Sequence, residues 1–255
     1  MKFSANLGFL WADRPLPEAI RAAKAAGFDA VECHWPYATP AEAVAAALSD
    51  TGLQMLGLNT RRGSVAEGEN GLSALPGREA EARAAIEEAI AYAGRVGAQK
   101  VHVMAGFTSG TAAHDTFVDN LRYAAKVASA VGITLLIEPL NRYDAPGYFL
   151  STTSQARAII EEVGAENLKL MFDCYHVQLM EGDLTHRLND LARLIGHIQF
   201  ASVPDRGAPD HGEINYAHVF ETIAEMGYEA PLGAEYKPGG DTDATLGWLG
   251  WARAL

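Results

Sequence analysis

Three stretches decide the fold: Ala25–Glu32 reads AAGFDAVE, Arg95–His102 reads RVGAQKVH and Ala130–Glu138 reads AVGITLLIE. They are one structural phrase used three times. A helical run ends, a glycine follows, and a short apolar strand begins. Glycine suits that place because it enters the left-handed conformation that stops a helix. The β-branched and apolar residues after it suit a buried strand.

Working outward, eight such β-like runs alternate with helical ones: Phe3–Phe9, Ala30–Trp35, Gln54–Thr60, Lys100–Gly106, Thr134–Asn141, Leu168–His176, Ile195–Ser202 and Leu232–Lys237. Between them apolar residues recur at helical period. Ala19, Ile20 and Ala23 share a face, as do Ile86, Ile90, Ala93 and Val96, then Leu184, Leu188, Leu191 and Ile195, then Val219, Phe220, Ile223 and Met226. Pro17 suits a first helical turn, and Thr153 or Ser154, Asp183 and Asn215 suit N-caps. Eight β–α units in 255 residues predict an α/β protein that is one closed (β/α)8 TIM barrel, residues 1–255 forming a single domain. No G-x-G-x-x-G follows the first strand, which argues against an open dinucleotide-binding sheet.

Composition agrees with a globular chain, with 49% apolar residues and a net charge of −12. Such an acidic balance is poorly suited to nucleic acid. No apolar run reaches the ~20 residues of a membrane span, and MKFSANLGFLW carries no signal-peptide pattern, so a cytoplasmic location is expected. Cys33 and Cys174 read as buried free thiols.

Four candidate strands end in an oxygen donor: Glu138 in LLIEPLN, Asp173 in LMFDCYH, Gln199 in GHIQFAS and Glu235 in LGAEYKP. In a closed barrel these are consecutive neighbours on the rim that carries active sites. Three converging carboxylates repel one another and are costly to bury. One divalent cation removes that cost, and an all-oxygen set suits Mg²⁺ or Mn²⁺. His176 lies within reach, and Arg206 or Lys237 offers a cation for an acid substrate. Glu32 and His34 alternate on the second strand, with Asn6 on the first. His102 and His197 are either packed or functional, while Trp11 and Trp35 are placed to wall the pocket. The loop Arg61–Gly77, RRGSVAEGENGLSALPG, is long for a barrel connection and reads as a lid.

The stretches EGENGLSALPGRE, IEPLNRYDAPGYFLSTTSQA, FDCYHVQLMEGDL, GHIQFASVPDRGAPDHGEINY and LGAEYKP, with the later LGW, resemble the hydroxypyruvate isomerase family of xylose-isomerase-like TIM barrels. A close subgroup is the 2-oxo-tetronate isomerases. The resemblance implies metal ligation by Glu138, Asp173, Gln199 and Glu235. It gives Glu138 and Glu235 the acid/base pair, and Asp144, His176 and Arg206 substrate contacts. Gly207 stands where many relatives carry histidine. The implied reaction is aldose–ketose type isomerisation of a small hydroxy-carbonyl acid, with hydroxypyruvate and tartronate semialdehyde as the pair. The alternatives are a 2-oxo-tetronate substrate, or a polyol dehydratase or sugar epimerase on the same ligands. A multi-zinc endonuclease would need more histidines, and a non-catalytic binder would need no glutamate pair. The expected partner is a small-molecule acid, with no nucleic acid and no membrane; a homo-oligomer is compatible with the sequence.

Overall fold

The computed structural model describes residues 1–255. Nine parallel strands form one sheet in the order β3-β2-β1-β9-β8-β7-β6-β5-β4. They are β1 (Phe3–Asn6), β2 (Ala30–Glu32), β3 (Gln54–Met55), β4 (Gly57–Asn59), β5 (Lys100–His102), β6 (Thr134–Ile137), β7 (Leu168–Asp173), β8 (Ile195–Phe200) and β9 (Leu232–Ala234). The count of nine against the expected eight has a local cause. The third run is interrupted at Leu56, so β3 pairs with β2 while β4 pairs with β5. Backbone bonds carry the ring across the break. Leu56 N–H donates to Val31 O at 2.7 Å, Cys33 N–H to Gly57 O at 3.1 Å and Asn59 N–H to His34 O at 2.8 Å. The chain therefore forms a parallel α/β barrel with one stave in two pieces.

The strands are also shorter than their apolar runs. Past Asn6 the chain turns, and Asn6 Oδ1 accepts the Gly8 N–H at 2.9 Å. Past Asp173 a helix begins at once, because the Asp173 carboxylate accepts the Tyr175 N–H at 2.9 Å and caps it. Cys174 and His176 thus lie on the helix Cys174–Met180 and not in a strand, while both cysteines are buried and free as expected. Two smaller corrections have the same local origin. Ile195 opens β8 and does not extend the face of the helix Leu184–Leu191, and Thr152, not Thr153 or Ser154, caps Thr153–Val163 through Gln155 N–H. Asn215 caps Tyr216–Glu225 as expected, whereas Asp183 turns its carboxylate to His186 at 2.6 Å.

Side chains alternate along each strand. Val101, Leu135, Ile137, Leu170, Phe172, Ile198 and Phe200 are fully or nearly fully buried. The intervening residues Lys100, His102, Leu136, Met171, His197 and Gln199 line one cavity inside the barrel. The apolar runs are thus less uniform than they read, since the barrel interior carries a polar stack towards the C-terminal ends. Aromatic rings from β1 and β8, the two strands flanking β9, pack on the C-terminal helix. Trp248, on the helix Trp248–Arg253, lies edge-on to Phe3 at 5.1 Å and to Phe200 at 5.3 Å. Trp11 joins this packing through Phe28 at 6.1 Å and donates from Nε1 to Asp243 at 3.2 Å.

The long connection is tied down at its far end. Gly71 bridges Ala105, and Ser73 and Ala74 N–H donate to the carbonyls of Met104 and Ala105 at 3.2 and 2.8 Å. Gly71 has φ 118°, and a side chain there would meet the backbone of Met104 at 2.7 Å, so only glycine allows this approach. No helix is long and apolar enough to cross a membrane.

Candidate active site

Glu138, Asp173 and Glu235 stand at the C-terminal ends of β6, β7 and β9, and Gln199 on β8 is the register partner of Asp173. All four are buried, none more than 5% exposed. One oxygen each of Glu138, Asp173 and Glu235, and one nitrogen of His176, lie within 4.8 Å of one another. Three oxygens, Glu138 Oε1, Asp173 Oδ2 and Gln199 Oε1, are buried with no hydrogen-bond partner. Native proteins rarely leave such atoms unsatisfied. A hard divalent cation suits this donor set, so the residues fit a metal.

His176 plays a different part from the oxygens. Its Nδ1 accepts the backbone N–H of Asn141 at 3.0 Å. The ring proton therefore sits on Nε2, which faces Asp173 Oδ2 at 3.6 Å and Glu138 Oε1 at 3.8 Å. Burial first, and then the Arg206 charge, depress its pKa to about 3, so the ring is neutral. A protonated Nε2 donates hydrogen bonds and does not ligate.

The carboxylates are unequally supported. Glu235 accepts from Asn6 Nδ2 at 2.9 Å and from Arg206 Nη2 at 2.5 Å, and Oε1 lies 2.9 Å from His34 Nε2. Burial pushes its pKa up, but the charge of Arg206 and the bond to His34 outweigh this and hold it below the usual range. Glu138 has no such partner, and burial, reinforced by Glu235 and Asp173, pushes it well above the usual range. Asp173 is pushed up to about 8, first by burial and then by Glu235.

Arg206 is the cation of the site. Its guanidinium lies between the rings of Phe9 and Tyr175, 4.9 Å from each centroid, and reaches Asp144 at 3.5 Å and Asp173 at 3.7 Å. Its backbone takes φ 59°, a conformation set by the loop after β8. There Asp205 accepts from Ser202 Oγ at 2.9 Å and Gly207 N–H at 3.2 Å, and pairs with His211 at 2.8 Å. His211 fills the space beside Gly207: a side chain at 207 would meet its Nε2 at 3.0 Å.

A cavity of about 160 Å³ opens over the cluster, lined by Glu138, Asp144, His176, Arg206 and Glu235, with Phe9, Trp35 and His102 among its walls. Lys237 and Trp11 are among the sequence candidates that fall outside it. Lys237 is exposed and contributes only its backbone N–H, to Arg206 O at 2.7 Å. It is two residues past Glu235, but the chain has left the strand by then. Trp11 is absent from the wall because its ring is spent in the outer aromatic packing. Asn141, Tyr175 and Phe9 contribute without having been singled out by spacing. Asn141 and Tyr175 lie inside the motifs IEPLN and FDCYH, but Phe9 gave no signal in the sequence.

The xylose isomerase-like TIM barrel family model matches residues 20–250. The chain is 45% identical to a 2-oxo-tetronate isomerase of Cupriavidus necator, over 97% of each chain. It is 40% identical to the hydroxypyruvate isomerase of Escherichia coli, over 98% of each. A crystal structure of a protein named AP endonuclease, family 2, from Brucella melitensis superposes with a TM-score of 0.95 at 38% identity, covering 98% of both chains. With full-length relatives, a matching family model and one barrel frame, the chain belongs to the hydroxypyruvate isomerase family of xylose isomerase-like TIM barrels.

Proposed function

We propose that this isomerase acts on a small hydroxy-keto acid, interconverting hydroxypyruvate and tartronate semialdehyde with one Mg²⁺ or Mn²⁺ held by Glu138, Asp173, Gln199 and Glu235. The observation that carries this reading is the set of buried oxygens without partners at neighbouring strand ends. Held by these four residues, such a metal would supply Lewis-acid stabilisation of the negative charge that proton removal creates.

The chain's own groups supply the rest. Arg206, which also reaches Asp144 at the cavity wall, is the cation that meets the substrate carboxylate. His176 Nε2–H donates to a substrate oxygen. Glu138 and Glu235, one residue past the ends of β6 and β9, flank the substrate plane and pass the proton from one carbon to the next. Glu138, whose side chain no hydrogen bond fixes, is the freer to take it, while His34, Asn6 and Arg206 hold Glu235 in place.

A 2-oxo-tetronate, one carbon longer, is the second reading, favoured by the relative of that name at 45% identity. Nucleic acid is disfavoured as substrate, despite the endonuclease name of the Brucella protein. The net charge is −12, and the four oxygen donors are at most 5% exposed. A cytoplasmic setting is part of the same proposal, in keeping with two free thiols.

The test is a turnover screen of hydroxypyruvate and 2-oxo-tetronates with enzyme reconstituted in Mg²⁺ or Mn²⁺, products being read by NMR. Isomerisation that stops on chelation is expected. Loss of water or inversion at one carbon would move the assignment to a dehydratase or epimerase. No turnover of either acid class by metal-loaded enzyme overturns the proposal.

A further inference from the structure

Beneath the carboxylates lies a second buried polar layer, Asn6, Glu32, His197 and Gln199, of which Glu32 and His197 have no part in the proposed reaction. Glu32, at the end of β2, is 4% exposed. Its Oε2 is hydrogen-bonded to His197 Nε2. Its Oε1 accepts from two amides, Asn6 Nδ2 and Gln199 Nε2, each at 3.4 Å. An amide has one donating end and one accepting end. A carboxylate oxygen accepts, so Glu32 selects the Nε2 end of Gln199 and turns its Oε1 away. That Oε1 is the buried oxygen without a partner. The second amide works the same way: Asn6 Nδ2 spans Glu32 and Glu235 Oε1, while Oδ1 is held by Gly8 N–H at 2.9 Å. The layer is closely packed, since a side chain at Gly233 would run into Glu32 and would meet Gln199 Cγ at 2.8 Å and His197 Nε2 at 3.0 Å.

We propose that Glu32 is a positioning residue for the metal site: its carboxylate orients the Gln199 amide with oxygen towards the metal and, through Asn6, fixes Glu235. This rests on the reading of Glu138, Asp173, Gln199 and Glu235 as the metal-binding set. Residues that orient ligands in this way typically change metal affinity by about 10- to 100-fold when replaced.

Calorimetric Mn²⁺ titration of the chain, Glu32→Gln, Gln199→Glu and the double variant tests the proposal as a double-mutant cycle. With glutamine kept at position 199, Glu32→Gln removes the charge and leaves one accepting oxygen for His197, Asn6 and Gln199 where the carboxylate had two, and a loss of about 10- to 100-fold in affinity is expected. In the Gln199→Glu background there is no amide to orient at 199, and the amide introduced at position 32 can donate to the new carboxylate. There Glu32→Gln is expected to cost markedly less affinity, since only the link through Asn6 to Glu235 is still weakened. A role confined to packing His197 predicts equal losses in both backgrounds, and that result overturns the proposal. Should Glu32→Gln not fold, as judged by circular dichroism, Glu32→Asp enters the same cycle with the same two outcomes. Absence of Mn²⁺ binding by the unsubstituted chain overturns the metal site itself, and this role with it. Normal binding with equal losses overturns only Glu32.

Discussion

Arg206 Nη2 lies 2.5 Å from Glu235 Oε2, buried, with Asp173 a further contact at 3.7 Å. One fixed cation thus contacts two of the three carboxylates, and the third, Glu138, has no ion pair with it. With all three carboxyls ionised, the cluster would carry more negative charge than Arg206 neutralises. Burial of unpaired charge is costly, and removing one partner of such a pair is strongly destabilising. That imbalance, and the loop that overlooks it, have measurable consequences.

Asp173→Ala is expected to abolish stoichiometric metal binding and leave the barrel folded. Asp173 contributes an unsatisfied oxygen, and its loss relieves like-charge repulsion. It also removes the cap on Tyr175 N–H, which costs roughly 1 kcal/mol. Elemental analysis and circular dichroism check both parts. Full occupancy in the variant takes Asp173 out of the site.

The metal-free protein is expected to lose stability as pH rises. The Asp173 carboxyl is raised from 3.8 to about 8. A raised carboxyl keeps its proton in the folded chain where the unfolded chain has released it. Its contribution is complete below 3.8 and is lost as pH rises through about 8. Glu138, also raised, acts in the same sense. Melting temperature in chelator should fall between pH ~6 and ~8.5, and Asp173→Asn or added Mn²⁺ should flatten the slope. A melting temperature that climbs over this window contradicts the assignment.

Glu138→Gln and Glu235→Gln each keep an oxygen donor and remove a base. General acid–base catalysis is worth about 10²- to 10⁴-fold, and each variant should lose at least the lower figure. Metal affinity should fall less than in Asp173→Ala. Deuterium uptake from D₂O separates the two: a variant lacking only the returning acid still exchanges the carbon-bound proton. Near-normal isomerisation by both variants with metal bound removes the glutamate pair from the chemistry and moves attention to His176.

In the long loop Arg61–Gly77, motion on substrate binding is expected to be confined to residues 61–70. Residues 71–74 are bridged to the chain after β5, whereas Val65 is 57% exposed and Arg62 rests on the Trp35 ring at 3.9 Å. Asn70 lines the cavity and marks the boundary. Hydrogen exchange with and without a substrate analogue should show new protection in 61–70 only, as for a closing lid. Identical exchange in both states rejects a lid.

The repeated helix–glycine–strand phrase by itself determined the barrel, because local conformational preference and apolar period agree along the whole chain. It also determined that Glu138, Asp173, Gln199 and Glu235 share a rim, since strand order in such a barrel follows sequence order. Tertiary structure alone decided which polar neighbours serve those residues. Arg206 enters the cluster and Lys237 does not, because the loop after β8 folds on Asp205 into a left-handed turn at 206. Trp11 packs outside the barrel while Trp35 faces the cavity, although both follow strands. Glu32 supports Gln199 and Asn6 across separations of 167 and 26 residues in the chain. Hydrogen bonds over such separations have no signature in spacing or composition, because they depend on side-chain directions that only the closed ring fixes.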